Sequence, residues 1–292
     1  GIGATLEGLR AGYPGTGALD PLLDAVFAAT STAELASVVS QFVPITSTTQ
    51  ATANMLHGAN RIIQARQDSN RGLSSGDKFY GDRAVWLKPF GSFADQGDRN
   101  GVAGYEAKTY GVAFGADTEL AKAIRVGAAF VYASSDVKGN SRQNADIDSY
   151  QAILYGSYSL DDRTELNLQA DYGFHEKDSK RFIPAVGVVA SGNFDSQSLH
   201  LGVGVGRTYT LSPKTTFTPS VRADYTQIRN QGYTETGAGA FNLNVGSNTT
   251  DELILALDGR YSYAMSDRTT FVVNLGAGYD ALSEAASVTS TF

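Results

Sequence analysis

The chain of 292 residues carries a formal net charge of −7, and an acidic balance of that kind argues against general affinity for nucleic acid. It contains no cysteine, which excludes disulfide frameworks and thiolate metal or nucleophile sites. With 32 glycines and 15 tyrosines against 7 prolines the composition leans to all-β; it has no apolar run of the about 18 residues that a transmembrane helix needs, which leaves open a membrane barrel of alternating strands.

Nothing at the N-terminus reads as a signal peptide, so the chain is expected to be a mature protein or an excised piece. Residues 1–80 read as helical. Asp20-Pro21 offers an N-cap with proline at the first helical position, followed by Leu22, Leu23, Val26 and Phe27. Ser31-Thr-Ala-Glu34 is a capping box leading into Leu35, Val38, Val39 and Phe42, and Pro44 closes that helix. A third helix is expected over residues 48–70, where Met55, Leu56, Ala59, Ile62 and Ile63 make a stripe too narrow for an ordinary buried helix. Its other faces carry Asn54, His57, Asn60, Arg61, Gln64 and Arg66, and Gly72, Ser74, Ser75 and Gly76 end it.

From Arg83 onward the period changes to two. Residues 86–91 and 150–158 alternate, and Tyr110, Val112, Phe114 and Ala116 alternate with Gly111, Ala113, Gly115 and Asp117. The same pattern returns over 125–132, 166–175, 217–226, 253–263 and 271–280. The stretch "HLGVGVGRTYTL" at 200–211 could be mistaken for a phosphate-binding loop. The G-x-G-x-x-G fingerprint would need glycine at 207, which is Arg, so this too reads as a strand: Leu199, Leu201, Val203 and Val205 on one face, His200, Gly202, Gly204 and Gly206 on the other. Nine strands are expected. "YGSYSLDDRTELNLQADYGF", "GRTYTLSPKTTFTPSVRADY" and "GRYSYAMSDRTTFVVNLGAGYD" repeat one form, strand, tight polar turn, strand, and "YGVAFGADTELAKAIRVGAAFVYA" is a looser copy. Long polar segments near 93–106, 136–148, 176–195 and 229–250 separate these hairpins and read as loops.

A soluble sandwich would also alternate, but the apolar face here carries aromatics near its ends: Tyr132, Tyr172, Phe174, Tyr209, Tyr225, Tyr261, Tyr263 and Tyr279. Aromatic girdles around a Leu/Val/Ala band, with short turns on one side and long loops on the other, are what an outer-membrane barrel selects. The expected fold class is therefore an all-β, antiparallel, up-and-down transmembrane barrel in contact with outer-membrane lipid. The other face becomes the lumen. It holds Gly111, Gly115, Gly127, Gly173, Gly202, Gly204, Gly206, Gly276 and Gly278, and so many strand glycines suggest close approach by another element, a helix about 10 Å wide. The helix before the first strand is the candidate, with Asn54, His57, Arg61, Gln64 and Arg66 inside the barrel. Its Arg61, Arg66 and Arg71 are expected to meet lumen charges among Asp117, Asp171, Asp224, Asp258 and Asp280, with Arg222 and Arg260 also facing the lumen. A helix that feeds the first strand from the short-turn side has its N-terminus at the other side, so what precedes it emerges at the cell surface.

The segment "ANRIIQARQDSNRGLSSGD", the first strand "AVWLKPFGSF", the hairpin "YGVAFGADTEL" and the turns "YGSYSLDDRTELN" follow one another in an order that resembles the C-terminal translocator domain of monomeric (type V secretion) autotransporters, from about residue 46 to the end. The resemblance implies a twelve-stranded barrel with a lumen helix, assembly as a monomer by the barrel-insertion machinery and periplasmic chaperones, and export of the protein's own N-terminal passenger. Three parts follow: a helical passenger-proximal linker (1–45), lumen helix and linker (46–80), and barrel (81–292). Nine strands cannot close around a helix, since eight are filled by their own side chains, so the C-terminus is expected to be truncated. Phe292 is similar to the family's aromatic end signal, while Ser290 stands where an apolar residue belongs.

Chemistry of other kinds finds little support. The G-x-S-x-G elbow, H-E-x-x-H and any metal cluster are absent from the sequence, so no enzyme activity and no cofactor are expected. His175 with Asp171 and Asp195 is similar to the acidic and histidine pairs of outer-membrane rim proteases, which makes such an enzyme, or a plugged general pore, the alternative. Asn54, Asn60 and Asn70 are available for self-cleavage of the lumen segment, but the surrounding motif is not recognisable and cleavage is not expected.

Overall fold

The computed structural model describes residues 17, 20–68, 78–80, 83–98, 104–139, 142–266, 269–282 and 288–291. Three helices come first: α1 (Asp20–Ala28), α2 (Thr32–Ser40) and α3 (Ser47–Asp68). Ser31 caps α2 by accepting from the Glu34 amide at 3.2 Å. Glu34 reaches one residue further back than a capping box requires, accepting from the Thr30 amide at 2.7 Å.

The strands are β1 (Lys78–Tyr80), β2 (Arg83–Gln96), β3 (Tyr105–Ala121), β4 (Ile124–Gly139), β5 (Gln143–Ser159), β6 (Thr164–Ile183), β7 (Val188–Arg207), β8 (Tyr209–Ser212), β9 (Thr215–Asn230), β10 (Tyr233–Thr234), β11 (Asn244–Val245), β12 (Asn248–Ser266), β13 (Thr269–Asp280) and β14 (Ser290–Thr291). Nine of them, β2–β7, β9, β12 and β13, form one antiparallel meander in which each long strand pairs with the next. β1 extends one edge beside β2, and β8 continues the line of β7 against β9. Among the described residues β13 pairs only with β12, so the sheet curls without closing.

Turn chemistry sets one end. Between β5 and β6 the Asp161 carboxylate accepts from the amides of Arg163 and Thr164, both at 2.7 Å, and these bonds hold its pKa below the ordinary Asp value. At the opposite end the strands reach further than the sequence suggests. Segments 136–148 and 176–195, expected as loops, are largely strand: β4 runs to Gly139, β5 starts at Gln143, and β6 and β7 meet at Ile183 and Val188. The alternation persists there, with Val137, Ile147, Ile183 and Ala190 buried and Asp136, Asp146, Asp178 and Lys180 exposed. A strand that leaves the lipid keeps its inner face and exchanges its apolar outer face for a polar one, which mimics a loop in the sequence. Segment 229–250 holds β10, β11 and a short 3-10 turn (Gly239–Phe241), folded over Ile183 and Ala190 of the projecting β6–β7 hairpin.

Outside, Leu154, Leu168, Leu201, Val203, Leu257 and Leu275 are exposed, flanked by the exposed rings of Tyr132, Tyr172, Tyr261 and Tyr279. So continuous an apolar surface requires lipid rather than water. Inside, α3 lies against β2–β6 and β9. Ala59 and Ile63 pack with Trp86, Ala113, Val131 and Ile153, while Met55 and Leu56 pack with Ala133 and Ile228. Burial of Met55, Leu56 and Ile63 contributes about 1.5–3 kcal/mol each.

Candidate functional site

The buried face of α3 includes Thr48, Thr52, Asn60, Arg66 and Gln67, and these polar groups explain why its apolar stripe looked narrow. Near the short-turn end Arg66 donates to Asp117 of β3 through Nε at 2.7 Å and Nη2 at 3.1 Å. The Asp117 side chain is fully buried and also accepts from Tyr155 Oη at 2.9 Å and Arg125 at 3.4 Å, and Tyr155 Oη in turn accepts from Trp86 Nε1 at 2.9 Å. One carboxylate thus joins α3 to four strands, β2 to β5, through a bidentate charged contact that is otherwise costly to bury. Gln67 adds bonds from Nε2 to the carbonyls of Gly156 and Leu168, both at 2.9 Å.

Half-way along, Asn60 Oδ1 accepts from Gln169 at 2.8 Å, and Gln169 and Gln151 both donate to Asp171. His200 stands between two carboxylates, its Nδ1 2.6 Å from Asp171 and its Nε2 2.9 Å from Asp224. The ring thus ties Asp171 of β6 and Asp224 of β9 together across β7. Arg222 completes the row, donating from Nε to both oxygens of Asp224 at 2.9 and 2.8 Å and from Nη2 to Gln169 at 3.3 Å. Near the helix N-terminus Asn54 donates to Tyr105 at 3.1 Å, and Thr49 accepts from Asn230 at 2.9 Å. On the far side His57 lies 2.7 Å from Glu252, and Arg260 donates to the Asp68 carbonyl at 2.8 Å.

The structure thus places Asn54, His57 and Arg66 against the wall and brings Arg66 to Asp117. Arg61 is exposed and Gln64 half-buried; Arg71, Asn70 and Phe292 lie outside the described residues. Among the described residues the other acids meet other partners: Asp171 and Asp224 meet His200, and Asp280 accepts from the amides of Leu253 and Leu282 at 3.3 and 3.0 Å.

The lumen glycines need a correction. A Cβ on Gly111 would lie 2.5 Å from Phe90, on Gly115 2.6 Å from Trp86, on Gly127 2.3 Å from Tyr155, on Gly173 2.4 Å from Ser198, on Gly202 2.2 Å from Arg222 and on Gly276 1.8 Å from Asp258. Side chains and carbonyls of the sheet itself lie across these glycines, so their first role is to admit neighbouring strands' groups and not to make a groove for the helix. Gly204, Gly206 and Gly278 are less crowded, with nearest atoms at 3.4, 3.2 and 3.1 Å.

His175 is buried between Ser149 and Ser198, with ring nitrogens 2.9 and 3.0 Å from their hydroxyls. Asp171 is committed to His200, and Asp195 stands outside the row of inward positions, so the triplet read from sequence does not assemble. Among the described residues no three His, Asp or Glu side chains converge as a metal site. Sequence reasoning missed Asn60, Gln67, Trp86, Tyr155, Gln169 and Glu252 as parts of the site. The two-residue period places Trp86, Gln169 and Asp171 on one face, but partners across strands depend on register.

The family model described as "Autotransporter beta-domain" matches residues 85–292. Outer membrane protein B of Rickettsia prowazekii (strain Madrid E) is 28% identical over 246 residues, 77% of this chain and 15% of that protein, so the chain spans a small part of the length of this curated relative. The translocator domain of autotransporter NalP from Neisseria meningitidis is similar in structure, with a TM-score of 0.67 at 17% identity over 84% of this chain and 82% of that one. The beta domain of the Bordetella autotransporter BrkA gives 0.51 at 15% identity over 71% and 83%.

Proposed function

Because the chain belongs to the autotransporter beta-domain family and is an outer-membrane translocator barrel of Gram-negative type, we propose that it anchors and exports its own N-terminal passenger and retains α3 in the lumen afterwards. The supporting observation is the polarity of α3. Its first turns lie beside Asn230 and Tyr105 at the long-strand end, and its last turn lies beside Gly156 and Leu168 near the short turns. The first long strand, β2, begins at the same end, where its Arg83 pairs with Thr118 near the β3–β4 turn. A chain threaded in this sense delivers everything upstream of α3 to the long-strand side, the cell surface.

On this reading the barrel acts as a monomer, is inserted by the barrel-assembly machinery with periplasmic chaperones, uses no cofactor and performs no enzymatic reaction of its own. The wall networks act by holding the helix: Asp117, Asp171 and Glu252 receive helix groups directly or through one side chain. An epitope inserted upstream of α3 in the full-length protein should become accessible to protease on intact cells. An epitope that stays protected while the barrel is correctly folded would overturn the export reading.

A further inference from the structure

Two buried donors at the long-strand end belong to none of the networks around α3. Gln143 opens β5 and Arg181 lies near the end of β6, directly opposite it in the ladder. Both bind main chain. Gln143 Nε2 donates to the Val43 carbonyl at 2.7 Å, and Arg181 Nη1 donates to the Gln41 carbonyl. The guanidinium is fixed from behind by Glu235, through Nε at 3.0 Å and through Nη2, and Nη2 also reaches the Phe241 carbonyl at 2.9 Å. Glu235 accepts in addition from the Leu243 amide at 2.9 Å.

This arrangement uses a buried, charge-balanced pair to aim one donor at a peptide carbonyl, with an amide donor beside it for the carbonyl two residues on. The bonds of both donors to this segment go to its main chain. The segment's side chains make contacts of their own: Phe42 lies against the Phe241 ring, at 6.1 Å between centroids, and Gln41 Oε1 accepts from the Ala185 amide at 3.2 Å. Pro44 and Ile45, both buried, follow and lead into α3. Carbonyls recur at every residue, so donors of this kind hold a chain whatever its sequence.

We infer that Gln143 and Arg181 form a main-chain-directed binding site for unfolded polypeptide at the mouth of the lumen, occupied here by residues 41–43 and occupied during export by the passenger chain as it leaves. The inference rests on the translocator reading.

Its test uses the absence of cysteine from the chain. A spin label on Ser40→Cys of the refolded barrel reports whether the segment is held. The label should stay immobile when Gln41→Ala and Val43→Ala change the side chains but keep the carbonyls. It should become mobile in Gln143→Leu combined with Arg181→Lys, where Lys retains a charge beside Glu235 but lacks the fork. The same double variant should slow the appearance of a surface epitope by ~10-fold, the effect of losing one to two hydrogen bonds, with heat-modifiable migration of the barrel unchanged. Mobility caused by the alanine pair would overturn main-chain recognition. Unchanged export in the double variant would reduce the two donors to a cap for the C-terminus of α2. Failure of the unaltered full-length protein to export its passenger would instead sink the translocator reading.

Discussion

Replacing Asp117 with Ala is the sharpest way to ask whether wall contacts retain the helix. The carboxylate is fully buried and receives two bonds from Arg66, one from Tyr155 and one from Arg125. Its removal takes two charged bonds from Arg66, 4% exposed on its side chain; breaking such a pair costs about 3–5 kcal/mol. Against this stand Met55, Leu56 and Ile63, whose burial contributes about 5–9 kcal/mol together. The docked helix should therefore survive as the main state while its undocked fraction rises by about two to four orders of magnitude. Planar-bilayer recordings would read this as frequent openings to the conductance of a barrel lacking residues 47–68. Glu119→Ala is the matched control, because its 3.8 Å contact with Arg125 is exposed and worth at most about 1 kcal/mol. Replacing both partners, Arg66→Met with Asp117→Leu, should recover most of the loss. If Asp117→Ala opens no more often than Glu119→Ala, the helix is held by apolar packing alone and the wall network is incidental.

Three further outcomes follow from the same geometry. Gly202→Ala should destabilise the barrel in thermal unfolding, since its Cβ falls 2.2 Å from Arg222 and 2.6 Å from Asp224, whereas Gly204→Ala, whose Cβ meets its nearest atoms at 3.4 Å in ordinary van der Waals contact, should be neutral or gain up to about 1 kcal/mol; equal effects would refute the seating role. His200→Gln should lower the unfolding temperature by stranding two carboxylates, and adding Asp171→Asn should restore part of it; no change in the single variant would mean that the carboxylates find other partners. Asp161→Asn should weaken the β5–β6 turn at neutral pH. Because the backbone amides of Arg163 and Thr164 depress the folded pKa, the wild-type advantage is present above the ordinary Asp value and disappears as pH falls through the folded one; a difference that persists in strong acid would rule out the carboxylate as its source.

The lipid-facing stripe, the nine strands and the lumen row were legible because each depends only on the spacing of residues within one strand. Leu201 and Val203 out, His200 and Gly202 in, follows from a period of two and nothing else. What the sequence hid depends on register between strands. Gly127 looks like room for a helix until register places Tyr155 opposite it. Asp171 looks like a partner for a helix arginine until His200 proves to be its cross-strand neighbour. The polar tops of β6 and β7 were misread for another reason: outside the lipid a strand no longer advertises itself by an apolar outer face.

The composition of α3 bears on an earlier stage of the protein's life. At 22 residues the helix is about 33 Å long, enough to span the hydrocarbon of a bilayer. A protein of the outer membrane first crosses the inner one, where a segment of that length and an apolar character would be arrested and left behind. Thr48, Thr52, Asn60, Arg66 and Gln67 keep α3 from reading as such a segment. Asn60, Arg66 and Gln67, which fasten the helix in its final barrel, are thus among the side chains that let it pass the wrong membrane on the way.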